Sequence, residues 1–168
     1  MNLTILGAKD RKLTKMLRMA ADSFAHKLLT PQMIKHITLE VHICDKLSAG
    51  AYCTIADDLP IPRKFLVEIH RTRKKIHMFT ALAHEMVHLK QWASGEMKGK
   101  IRKTKYITVW RGETYEDDVS YWDQPWEFEA YGLQESLVAK FLTEHNQFKN
   151  LRQRQEDWFV YDDLENRD

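Results

Sequence analysis

Residues 75–93 read Lys75-Ile76-His77-Met78-Phe79-Thr80-Ala81-Leu82-Ala83-His84-Glu85-Met86-Val87-His88-Leu89-Lys90-Gln91-Trp92-Ala93, and this stretch decides the fold. Its apolar residues, among them Ile76, Phe79, Leu82, Met86 and Leu89, leave almost no polar face on a helix. Such a helix lies inside a domain rather than on its surface. Ser94-Gly95 closes it. Set within it is His84-Glu85-Met86-Val87-His88, and three such groups buried without partners would cost several kcal/mol.

The spacing carries a chemical meaning. At about 100° per residue, positions i and i+4 share one helix face a turn apart, so both imidazoles can bind one zinc ion at about 2.0–2.1 Å. Glu85, next to the first histidine, is placed to hold and deprotonate a water on that metal. With eight His and twelve Glu in 168 residues, the pattern arises by accident roughly 0.03 times per chain. Two histidines leave zinc incomplete, because catalytic sites have three protein ligands plus a water. A third ligand is therefore expected from another element. The run Pro125-Trp126-Glu127-Phe128-Glu129-Ala130-Tyr131 offers two carboxylates on a second helix, with Glu127 and Glu129 about 200° apart around it.

Working outward, the apolar spacing of Leu13, Leu17, Ala20, Ala21, Phe24, Ala25 and Leu28 predicts a helix from about Asp10 to Leu29, ended by Thr30-Pro31. Ile37, Leu39, Val41 and Ile43 alternate with polar residues as in a half-buried strand, with Ala51–Ala56 as its hairpin partner. Asp57–Pro62 reads as a stiff loop and Phe65–His70 as a further strand. Tyr106–Trp110 and Glu113–Tyr115 flank Arg111-Gly112 as a hairpin. The last strong helix is expected from near Asp123, as its cap, to about Glu144. After Asn146 the chain is polar apart from Trp158-Phe159-Val160-Tyr161, which reads as a short docking helix. Helix, small antiparallel sheet, helix, hairpin and helix make an α+β domain. One domain is expected over 1–168, with its core at about 10–145 and a tail at 146–168.

The HExxH, followed by Glu127 and Ala130 as Glu-x-x-Ala, resembles the gluzincin metallopeptidases, whose second helix carries a ligand glutamate in that setting. Short phage and bacterial proteins of the minigluzincin and SprT-like type are similar in size and order. The resemblance covers about residues 60–145. It implies a zincin-type domain in which His84, His88 and Glu127 bind one Zn²⁺, with Glu129 as the fallback ligand. It also implies Glu85 as general base and Phe65–His70 as an edge strand along which an extended peptide or protein substrate lies. Several such families carry Asp or Asn four residues after the glutamate, where this chain has Tyr131. SprT-like proteins commonly take a third histidine and often add a cysteine zinc ribbon, and no CxxC exists here. Tyr131 or Tyr121 is a candidate for stabilising the oxyanion.

Other residues read more plainly. His77, seven positions before His84, shares its face and is a candidate neighbour of the metal. His42 and His70 fall on strands, and His145 sits at a helix end as a cation would. Trp92 and Trp126 are core aromatics or pocket walls. Cys44 and Cys53 lack any framework of pairs and read as free thiols of a reducing compartment.

Hydrophobic residues make up 43% and charged residues 30%, which excludes disordered and fibrous classes. No window spans a membrane and no basic leader precedes the first apolar run, so a cytoplasmic protein is expected. The net charge of +2 conceals an asymmetry. Residues 60–105 hold twelve Lys/Arg against three Asp/Glu, and residues 113–168 hold five against fifteen. The basic segment brackets the HExxH helix, and the acidic one contains the candidate third ligand, as two walls of one cleft would. Arg71, Arg73, Lys74, Lys75, Lys98, Lys100, Arg102, Lys103 and Lys105 also raise a nucleic-acid surface as an alternative, without the aromatic interleaving such surfaces carry. A zinc-stabilised binding module, closed by His77 or Glu129, is the other rival.

Overall fold

The computed structural model describes residues 1–145 except 73, 103, 104 and 117. Strand β1 (Asn2–Leu6) leads into helix α1 (Arg11–Leu28), short helix α2 (Pro31–His36) and strand β2 (Thr38–Cys44). Strands β3 (Ala51–Ile55) and β4 (Lys64–His70) precede the long helix α3 (Lys75–Ala93). A three-stranded antiparallel sheet follows, β5 (Met97–Arg102), β6 (Lys105–Trp110) and β7 (Glu113–Glu116). A single 3-10 turn, Tyr121–Asp123, then delivers the chain to α4 (Pro125–Glu144). The fold is α+β. No helix among the described residues is long and apolar enough to cross a membrane. The Trp158–Tyr161 segment lies outside the described residues, as do Arg73 and Lys103.

The main sheet has the order β1-β2-β4-β3 and is mixed, which corrects the expectation of an antiparallel sheet. β1 pairs parallel with β2, β2 parallel with β4, and only β3 runs antiparallel to its neighbour. Period-2 alternation fixes which face of a strand is buried but not its partner or direction. Parallel pairing sets Leu39, Val41 and Ile43 beside Phe65, Val67 and Ile69, one apolar stripe against its equal. β4 thus occupies the place on β2 expected for Ala51–Ala56, and β3 pairs with β4 instead. Phe65–His70 is therefore an inner strand, and the edge on its side of the sheet is β3. Cys44 and Cys53, both free, are not cross-strand partners.

Asp10 caps α1 by accepting from the Lys12 N–H at 2.8 Å, and Thr30 caps α2. The expected Asp123 cap of α4 is not used. Asp123 ends the 3-10 turn, Gln124 takes the cap position without a side-chain bond, and Pro125 starts the helix. Phe79 of α3 stacks on Phe141 of α4 at 5.8 Å, and Phe24 of α1 meets Phe141 edge-on at 5.9 Å. These contacts join the three long helices on the buried face of the sheet. Gly7, at φ +76°, turns the chain out of β1, and a Cβ there would fall 2.3 Å from the Ile43 carbonyl oxygen. Arg71 ties the same corner, donating to the Gly7 carbonyl at 2.7 Å and pairing with Asp45.

Candidate metal centre

Helix α3 is apolar on every side because it is packed between the sheet and α1 and α4. His84 and His88, one turn apart, face α4, where Glu127 sits in the first turn. The Nε2 atoms of His84 and His88 are 3.1 Å apart. Glu127 Oε2 is 3.2 Å from His84 Nε2, and Oε1 is 3.3 Å from His88 Nε2. Ligands at about 2.0–2.1 Å on a tetrahedral ion lie roughly 3.3–3.4 Å from one another. The two imidazoles stand near that spacing and each has a different Glu127 oxygen close to it. One donor atom from each of the three buried residues lies within 4.8 Å of the others, a group that could hold a metal ion.

The histidine tautomers are set from behind. Gln91 donates through Nε2 to the Trp126 carbonyl at 2.9 Å and to Glu129 Oε2 at 3.0 Å, both pure acceptors. Its Oε1 must then face His88 Nδ1, 2.8 Å away, so that nitrogen carries the hydrogen and Nε2 keeps its lone pair. Gln134 Oε1 lies 3.0 Å from His84 Nδ1 in the same relation. Two lone pairs aimed at each other across 3.1 Å repel unless a proton or a metal ion stands between them. Sequence reasoning missed both glutamines. Their only signal was position, Gln91 three residues after His88 and Gln134 seven after Glu127, each on the face of a ligand.

Electrostatics follow the same geometry. Burial opposes the charge on Glu127, but the His84 and His88 rings, when protonated at Nε2 as well as Nδ1, and the Tyr121 hydroxyl outweigh it and hold the carboxyl well below its usual range. Burial likewise opposes the charged form of His88, and Glu127, Glu85 and Gln91 together outweigh it and raise its pKa. Glu85 is 6% exposed, and burial raises its carboxyl above the usual value; His88 and His84 oppose the shift and Glu127 adds a little to it. A cavity of about 380 Å³ opens onto His84, Glu85, His88 and Glu127, walled by Ala51–Cys53 of β3 and by Trp92, Tyr121 and Trp126. Both tryptophans are thus pocket walls, and Trp126 also packs with Met97 and Trp110 in a small second core.

Glu129 is not in the group. The 200° that separates it from Glu127 aims it at Lys90, Gln91 and Arg111, with Arg111 Nη2 at 2.6 Å. His77 is exposed in the first turn of α3 and also lies outside the group. Tyr121 donates its hydroxyl to Glu127 Oε2 at 2.7 Å, and the Tyr131 ring stands edge-on to His84 at 4.8 Å. Arg71 and Lys75 of the basic segment are paired with Asp45 and Asp10. No protein-family model, curated protein or solved structure matches this chain.

Proposed function

We propose that this chain is a zinc-dependent peptidase of gluzincin-like, zincin-type architecture. The observation that carries the reading is the convergence of His84, His88 and Glu127 within reach of one metal ion, with Glu85 buried beside them. Two nitrogens and one carboxylate suit zinc. When bound, the ion would supply Lewis-acid polarisation of the scissile carbonyl and acidify a water.

The chain's own residues do the rest. Gln91 and Gln134 hold the imidazoles in the tautomer that presents Nε2. Glu85, its carboxyl raised by burial, accepts a proton from the attacking water and passes it to the leaving amine. Tyr121, on the cavity wall, would serve the carbonyl oxygen as it gains charge by turning its hydroxyl away from Glu127. An extended substrate pairs with the outer edge of β3, which has no strand partner among the described residues.

The test is zinc content and peptide hydrolysis in the wild type and Glu85→Gln. One zinc per chain is expected in both, with hydrolysis lower by at least about a hundredfold in the variant. Full activity in Glu85→Gln, or a wild type that takes up no zinc, removes this reading.

A further inference from the structure

A second cavity, of about 540 Å³, adjoins the metal cleft, and Trp92 lines both. Its walls are Ile55 at the end of β3, Leu59 and Pro60 of the following loop, and Met97 and Ile101 of β5. Leu59 is 53% exposed and Ile101 80%, two large apolar side chains left facing water around one hollow. We infer that this hollow is a specificity subsite for a bulky apolar side chain of the substrate, at the second or third residue before the scissile bond. The inference rests on the peptidase reading and deepens it.

Direction and register come from β3. The metal cleft lies against Ala51–Cys53, and the second cavity begins at Ile55. A chain that joins this edge antiparallel, the more stable pairing, has its N-terminal part running from the metal toward Ile55. Cys53 and Ile55 are two residues, about 7 Å, apart and point to the same face of the sheet, toward α3. A substrate side chain facing that way two residues upstream is carried to the Ile55 end, between Trp92 and β5.

The rim carries Lys98 and Lys100 against Asp58, an excess of positive charge that disfavours basic side chains. The Asp57 carboxylate is taken up by the backbone N–H groups of Leu59, Arg63 and Lys64. What remains to discriminate is the apolar wall, for which Leu, Ile, Met and Phe are the matching side chains.

The test uses the zinc-loaded full chain on a pool of proteome-derived peptides, with cut sites read by mass spectrometry. Matched peptides carrying Leu or Asn at the selected position then give kcat/KM. The wild type should enrich Leu, Ile, Met and Phe at the second or third residue before the cut and favour the Leu peptide by roughly tenfold or more. The double variant Leu59→Asp/Ile101→Asp changes two exposed positions, so it should keep one zinc per chain while the Leu/Asn ratio falls toward one. Cleavage without that preference, or a preference that survives the double variant, overturns the subsite and leaves the peptidase reading standing. A zinc-loaded wild type that cuts no peptide removes both. Indifferent cleavage, with a dimer in solution that the double variant abolishes, would assign the hollow to a second copy of the chain instead.

Discussion

Gln91 and His88 lie one turn apart on α3, and the glutamine Oε1 accepts the His88 Nδ1 hydrogen at 2.8 Å while its amide is fixed by Trp126 and Glu129. The ring nitrogen that His88 turns to the candidate metal group is therefore set by a neutral group that is itself held from two sides. Removing that group without removing volume is the informative change. Gln91→Met should weaken zinc binding roughly 10–100-fold, and Gln134→Met should act in the same direction through His84. Competition against a chromophoric chelator reads both. Unaltered affinity in both variants would mean that the glutamines fill space only.

The two glutamates of α4 point apart, Glu127 into the candidate metal group and Glu129 to Lys90 and Arg111. With zinc in that group as proposed, Glu127→Ala should abolish stoichiometric zinc. Glu129→Ala should keep it, because Gln91 retains the Trp126 carbonyl, and should cost about 1–2 kcal/mol, since it leaves the largely buried Lys90 with only Glu96 and strips Arg111 and Gln91 of one partner each. Metal analysis and urea denaturation of the two proteins separate the roles. Loss of zinc from Glu129→Ala with the fold intact would contradict the assignment.

Much of this centre was legible in the sequence, for one reason. Helical periodicity binds residue spacing to geometry, so His84 and His88 had to share a face and Glu127 and Glu129 had to diverge. Helix α3 was read from Lys75 to Ala93, the range it occupies, because its apolar character leaves no polar face. Strand pairing was not legible in the same way. Leu39–Ile43 and Phe65–Ile69 carry the same alternation whether they pair with each other or with Ala51–Ile55, and the choice depends on long-range packing. Strand β1 and strand β5 went unread for a related reason. Asn2–Leu6 is short, and in Met97–Arg102 Gly99 takes the middle apolar position, which leaves only Met97 and Ile101 to alternate with the charges. The outer glutamines escaped because a single amide on a helix has no pattern until its partner is known.

The corner of β1 gives a stability test. At Gly7 the backbone is left-handed and a Cβ would strike the Ile43 carbonyl oxygen, a backbone atom that cannot swing aside. Gly7→Ala should destabilise the protein by about 1–3 kcal/mol, with the loss reported by thermal unfolding. Because Arg71 donates to the carbonyls of both Gly7 and Ile43, Arg71→Ala and Gly7→Ala should combine less than additively. Strict additivity would show that the two act on separate parts of the fold.

Asp57 governs the loop that walls the second cavity, and it makes stability depend on pH. Partial burial works against its charge, but the N–H groups of Arg63, Leu59 and Lys64 outweigh that and hold its carboxyl below the ordinary value of 3.8. A carboxyl with a depressed folded pKa contributes stability that is complete above the unfolded value and is lost as pH falls through the folded one. Asp57→Asn keeps an acceptor and removes the charge. It should therefore cost about 1 kcal/mol at pH 7, discounted for solvent, and progressively less below about pH 4. Urea denaturation of both proteins at pH 7, 5, 4 and 3 reads the gap directly. A gap that stays constant over that range would mean that the loop is held by the shape of the side chain and not by its charge.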